Sequence, residues 1–187
     1  MESNLDLRIQ KTYLSLHNAF SALLEEKKFE DFTVNELCDR AMIRRATFYK
    51  HFADKYEYFT FYMKEIVADF QNRLAPDVSG DEVGAYLLHM SRELLHFIGE
   101  HEQMVRHVRS SSMFPTLLVI LLEQISADIT QVLRRADRAN QKSQKEIAGT
   151  AAFYAGGLLS TLFKTFDQNP NIDEEQFVKI ISKFLAG

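Results

Sequence analysis

The first 79 residues of this 187-residue chain contain no glycine, and its three prolines fall at 76, 115 and 170. Two-residue β-hairpins rely on positive-φ residues, glycine above all, so a glycine-free stretch of this length leaves little room for a turn-rich β fold. Proline is tolerated in a helix only in the first turn, so the three mark helix breaks or starts. Apolar residues Ile9, Tyr13, Leu16, Phe20, Leu23 and Leu24 recur at steps of three and four, which places them on one helix face. Helix starts recur down the chain. Thr33/Glu36, Ser79/Glu82 and Ser143/Glu146 read as capping boxes, Asp173/Gln176 follows the same spacing, and Asp54 reads as a further N-cap. Apolar pairs flank three of these caps as hydrophobic staples: Phe32/Leu37, Val78/Val83 and Ile172/Phe177. No segment alternates with period two. The pattern predicts an all-α protein of about nine helices, with a head of one long and two short helices and a long-helix body. The helices are expected at about 5–26, 33–41, 44–52, 54–74, 79–99, 101–109, 115–138, 143–166 and 173–185.

With 46% hydrophobic residues and a net charge of −4, a chain of this length buries enough surface to fold without staples. Its single cysteine, Cys38, excludes an internal disulfide and reads as a small core residue. The N-terminus lacks the basic-then-apolar order of a secretory signal, so a cytoplasmic location is expected. The longest uncharged run, Ile147 to Phe163, carries Thr150, Tyr154, Ser160, Thr161 and three glycines, and reads as a buried helix rather than a membrane span.

Charge is unevenly spread. Between Arg40 and Lys55 lie five basic residues (Arg40, Arg44, Arg45, Lys50, Lys55) and one acid, Asp54. A small basic face on an acidic protein, on two short helices joined by a few residues around Met42-Ile43, is the footprint of a helix-turn-helix that reads DNA. Arg40 reads equally as a solvated charge or a phosphate contact. Phe48 and Phe52, four apart, should face the head's own core.

Phe32-Thr33-Val34-Asn35-Glu36-Leu37, Ala41, and the run Ala46-Thr47-Phe48-Tyr49-Lys50-His51-Phe52-Ala53-Asp54-Lys55-Tyr56-Glu57 resemble the DNA-binding head of the tetracycline-repressor (TetR/AcrR) family. The resemblance covers about residues 8 to 60. It implies a homodimeric transcriptional regulator, by default a repressor, that binds a palindromic operator and is released by a small molecule. It implies DNA contacts from Thr33, Thr47, Tyr49, His51 and Lys55, with Lys55 reaching a phosphate. Arg45 and Lys50 have the reach for guanine edges, and Arg44 adds a cation. Two positions depart from the family pattern. Met42 stands where the turn usually has glycine, which puts the turn geometry in question because methionine tolerates positive φ poorly. Arg44 stands where a capping Ser or Thr usually opens the recognition helix. On this reading residues 1–53 form the DNA-binding domain and 54–187 the ligand-binding and dimerisation domain.

In the body, Ala148, Ala152, Gly156 and Ser160 recur every four residues on one face, where another helix can approach closely. Together with Phe177 and Ile181 of the last helix, Ala152, Gly156 and Ser160 are the candidate dimer interface. Tyr62, Phe97 and Tyr154 are the candidate ligand contacts, each also readable as ordinary core. The effector itself is unknown from sequence. His89 and His96 are seven apart, too far for a helical metal pair, and no metal or cofactor is expected. No phosphate-binding loop, nucleophile elbow or His-Glu-x-x-His motif is present, so no catalytic residue is assigned and no enzyme expected. The competing reading is an all-α interaction protein with a degenerate head that works through protein partners.

Overall fold

The computed structural model describes residues 2–74, 83–137, 142–169 and 171–186, and all of their regular structure is helical. The helices are α1 (Glu2–Glu26), α2 (Val34–Arg40), α3 (Arg45–Phe48), α4 (Lys55–Leu74), α5 (Val83–Glu100), α6 (Glu102–Arg109), α7 (Phe114–Ala136), α8 (Gln144–Gln168) and α9 (Glu174–Ala186), with a 3₁₀ turn at Phe29–Asp31. The expected all-α class and helix order are found. The Ser79/Glu82 box lies outside the described residues.

The caps explain the boundaries. Ser143 opens α8 with a complete box: Glu146 N–H donates to Ser143 Oγ at 3.2 Å, and Ser143 N–H to Glu146 Oε2 at 2.7 Å. Asp54 opens α4, its Oδ1 accepting from Tyr56 and Glu57 N–H at 2.9 and 2.8 Å. Asp173 Oδ1 accepts from Gln176 N–H at 3.0 Å at the start of α9. The expected box at Thr33 is only half made. Thr33 Oγ1 accepts from Glu36 N–H, but the Glu36 carboxylate pairs with Lys27 instead of returning to the cap. The competing cation sits nine residues upstream, beyond the reach of a local motif.

The chain folds into two compact units, Met1–Glu65 with His101–Leu117, and Ile66–Glu100 with Leu118–Gly187. The division expected at 53/54 falls just before α4, whereas the packing units divide within α4, at 65/66. In the first unit, α1 lays Leu16, Phe20, Leu23 and Leu24 against Phe29, Phe32, Leu37, Phe48 and Tyr58, all at most 1% exposed. Phe20 is the hub: its ring lies 4.9 Å from those of Tyr58 and Tyr62 and 5.5 Å from Phe32. The Tyr58 and Phe32 contacts are edge-on, the geometry in which a positive ring edge meets a negative face. Cys38 is buried in this core and burial pushes its thiol up from the usual range, consistent with an inert filler. α6 packs on α1 and buries Met104 and Val108.

In the second unit, α5 packs along α9, and α7 and α8 contribute Ile125, Ile129, Leu133, Leu158, Leu159 and Leu162 to the core. Two polar groups enter this interior with their partners. Tyr86 donates its hydroxyl to Asp128 Oδ2 at 3.1 Å, and Ser91 returns its hydroxyl to Leu87 O at 2.6 Å. Among the described residues one helix, α7, is long and apolar enough to cross a membrane by length and composition, with a mean hydropathy of 1.5 over its best window. The longest uncharged run lies in α8 instead, because Glu123 and Asp128 interrupt α7.

Candidate nucleic-acid interface

α2, a four-residue turn and α3 make a compact helix-turn-helix. α2 ends in a Schellman arrangement: Ile43 N–H bonds back to Cys38 O at 3.0 Å and Met42 N–H to Asp39 O at 3.2 Å. That closure needs a left-handed residue at its centre, and Met42 supplies it at φ 54°, the one positive φ among the described residues. The turn that glycine usually makes is therefore kept with methionine. Its side chain is 93% exposed, so nothing packed compensates for the conformation. α3 begins at Arg45, its N-cap Arg44 makes no side-chain cap bond, and it is one turn long, shorter than the 44–52 expected. Turn bonds extend it: His51 N–H reaches Phe48 O at 2.9 Å and Phe52 N–H the same carbonyl at 3.0 Å. Phe48 and Phe52 face inward as expected.

The five cations separate by environment. Arg44, Arg45 and Lys50 are exposed and make no ion pair among the described residues. Tyr49 lies beside them, 55% exposed, its ring edge-on to Phe48. Thr47 is half-buried. His51 is half-buried with Nδ1 3.3 Å from the Tyr13 hydroxyl. Thr33 is exposed at the start of α2, with its oxygen used as the cap. Arg40, read as either solvated or phosphate-bound, is a solvent-exposed charge that pairs with Glu26. Its guanidinium grips Glu26 with two parallel bonds of 2.5 Å, and the pair holds the Glu26 carboxyl below its usual range.

Lys55 requires a correction. The expected phosphate contact is not available to it. Its Nζ donates to Phe32 O at 2.7 Å, Phe29 O at 2.8 Å and, more weakly, Glu30 O at 3.4 Å. An ammonium has three protons, and these carbonyls take them. The rings of Phe29 and Phe32 flank it at 4.5 and 5.3 Å, and burial pulls the ammonium below the usual lysine range. The sequence could not show this, because the acceptors are backbone carbonyls more than 20 residues upstream.

The three candidate ligand contacts are divided between the two units. Tyr62 is 1% exposed within the first unit, its ring 4.6 Å from His17 and 4.9 Å from Phe20, its hydroxyl 3.9 Å from Met104 Sδ. It is core, closed to a ligand in this conformation. Phe97 packs on Phe70 at 5.2 Å in the second unit, and Tyr154 sits beside Phe153 on α8. Of the candidate dimer residues, Ala152 and Ser160 are exposed and Gly156 half-exposed on the outer face of α8. Phe177 and Ile181 are corrected: at 1% and 7% exposure they face their own chain's core. The outward residues of α9 are Ile180 and Phe184, and on α8 Phe153 joins them at 78% exposure. A helical wheel drawn from the small-residue face would have found Phe153. On α9 both stripes are apolar and composition could not choose between them.

The exposed cationic turn of α3, braced by α2 on an aromatic core, completes a helix-turn-helix of the kind that reads DNA. Residues 18–59 match the profile of the tetR family of bacterial regulatory proteins. That match lies on the head of the chain and takes in α2 and α3. The chain is similar to YxbF of Bacillus subtilis (strain 168), described as an uncharacterized HTH-type transcriptional regulator, at 39% identity over 57 residues. That match spans 30% of this chain and only 15% of the relative's length. Along nearly its whole length the fold resembles a TetR transcriptional regulator from Streptococcus agalactiae 2603V, with TM-score 0.64, 21% identity and 99% of both chains covered. It also resembles the dihydroxyacetone kinase operon activator DhaS, with TM-score 0.64, 17% identity, and 94% of this chain and 96% of that one covered.

Proposed function

We propose that the protein is a ligand-responsive, cytoplasmic transcriptional regulator that binds a palindromic operator as a homodimer, and that it is a repressor without enzymatic activity. The observation that carries the DNA reading is the α3 surface, where Arg44, Arg45, Tyr49 and Lys50 stand exposed with no ion pair among the described residues. Arginine and lysine so placed can reach guanine edges or phosphates, and Tyr49, His51 and Thr47 can hydrogen-bond the backbone. Support for a homodimer comes from the outer face of α8 and α9, where Phe153, Ile180 and Phe184 are exposed. Two heads related by a twofold axis would present their recognition helices about 34–36 Å apart. A small molecule held in the body would act by tilting α4, which begins beside the DNA-reading turn at Lys55 and continues to Leu74. Repression is the simplest outcome of a dimer seated on an operator; DhaS, described as an operon activator, has the same fold, so the fold leaves the sign to operator position.

Selection of bound duplexes from random DNA tests this directly. Wild type should enrich a two-half-site sequence, with affinity falling linearly on a log–log salt plot. Arg45→Ala should lower the slope by about one unit if it neutralises a phosphate, or relax one base position at a cost of about 1–3 kcal/mol if it reads a guanine. Lys55→Met keeps the stem between Phe29 and Phe32 and should leave the slope unchanged, because its protons are spent within the head. A slope reduced by one would return Lys55 to the phosphate contacts. Failure to enrich any duplex would favour the degenerate-head reading.

A further inference from the structure

The connection between α1 and α2, residues 27–32, is held from two directions. From the start of α4, Lys55 Nζ binds the carbonyls of Phe29 and Phe32. From the corner between α6 and α7, Ser112 binds it at the other side: its N–H and its hydroxyl both donate to Glu30 Oε1, at 2.7 and 2.6 Å. Partial burial pushes the Glu30 carboxyl up, but these two bonds, with its own backbone amide and the charge of Lys55, together hold it below its usual range. The corner is itself fixed to α1. Glu25 accepts from Met104 N–H at 3.2 Å and meets His101 Nδ1 at 2.9 Å, and His107 Nδ1 lies 2.7 Å from Leu24 O. Phe32 O is one peptide from Thr33, the cap that starts α2. The exposed Glu30 carboxylate thus takes both donors of a serine 82 residues away, just before α7.

We infer that Glu30 and Ser112 form a clasp that positions α2, and through it the DNA-reading turn, so that the α6–α7 corner sets the head's affinity for DNA without touching DNA. The clasp acts through the α1–α2 connection and not through α4. Glu30 and Ser112 are positioning residues; a displacement of residues 110–113 would release the connection and let the start of α2 shift. The inference rests on the DNA-binding reading above.

Ser112→Asp tests it. The side chain is exposed, so aspartate fits, and it sets a carboxylate against that of Glu30. Ser110→Asp is the control: it adds the same charge two residues away, where the native hydroxyl bonds only its own helix at His107 O. Ser112→Thr keeps both donors and should behave as wild type. With a duplex obtained by selection, Ser112→Asp should bind about tenfold more weakly than Ser110→Asp at an unchanged salt slope. Hydrogen exchange at the amides of Leu37 to Arg40 should quicken in Ser112→Asp alone. Equal affinity of the two aspartate variants, or tighter binding by Ser112→Asp, overturns the clasp. If wild type enriches no duplex, the DNA-binding reading fails, while the exchange comparison still decides whether the corner holds α2; equal exchange in both variants rejects that as well.

Discussion

Met42 shows what one residue can cost and still be kept. A non-glycine residue in the left-handed region loses about 1–2 kcal/mol, and with 93% of its side chain in solvent Met42 regains nothing by packing. Met42→Gly should therefore raise stability by about 0.5–1 kcal/mol, after allowing for glycine's greater unfolded-state entropy. In a chain of this size that is a rise of roughly 1–4 °C in the unfolding midpoint, read by calorimetry. An unchanged or lower midpoint would mean that the side chain contributes something the folded turn does not reveal. Residue by residue, the exposed basic face was legible where chemistry is local. Arg44, Arg45, Tyr49 and Lys50 could be placed outside because the helical period puts Phe48 and Phe52 inside. It was illegible where a charge is consumed at a distance. Counting charges gave five cations, but Arg40 is spent on Glu26 and Lys55 on the Phe29 and Phe32 carbonyls. Both partners lie on segments that only the tertiary fold brings near.

At the scale of the helix, starts were read well because caps are written into sequence at fixed spacing, as Ser143/Glu146 and Asp54 show. α3 was drawn too long, since the bonds after Phe48 are of turn type and no residue there marks a stop. The facing of α9 could not be read at all: Phe177 and Ile181 form one apolar stripe, Ile180 and Phe184 another, and only the packing of α5 against α9 decides which is inside. α8 shows the same division more openly. Ile147, Ala151, Ala155, Leu158 and Leu162 point inward, while Ala148, Ala152 and Ser160 point out. A Cβ added at Gly149, Gly156 or Gly157 meets nothing within 4 Å beyond its chain neighbours and the backbone of its own helix. Gly156→Leu should then leave the monomer's stability within about 1 kcal/mol, less leucine's gain in helix propensity, while displacing any helix that closes on this face. Sedimentation should show monomer in place of dimer. A dimer of unchanged affinity would locate the subunit contact elsewhere, and a destabilised monomer would show that the face is covered within the chain.

At the scale of the molecule, the first compact unit is not continuous in sequence. Its helices up to Glu65 are joined by His101–Leu117, and in between the chain leaves to build part of the second unit. A fragment of residues 1–65 would lack Met104 and Val108 from its core, the contact of the Tyr62 hydroxyl with Met104, and the donors that meet Glu25 and Glu30. It should melt below the corresponding helices in the full chain, with faster exchange in the last two turns of α1. Joining 101–117 to it through a flexible linker should restore both, as followed by circular dichroism and exchange. A fragment 1–65 as stable as the parent would show that the added segment contributes nothing to the head. The interruption also has a temporal side. A ribosome extending the chain at about 5–20 residues per second delivers the α6–α7 corner seconds after Glu65. Through that interval the newborn head exists with its clasp unmade, and on the reading proposed above it becomes competent for DNA only once the later segment has returned to it.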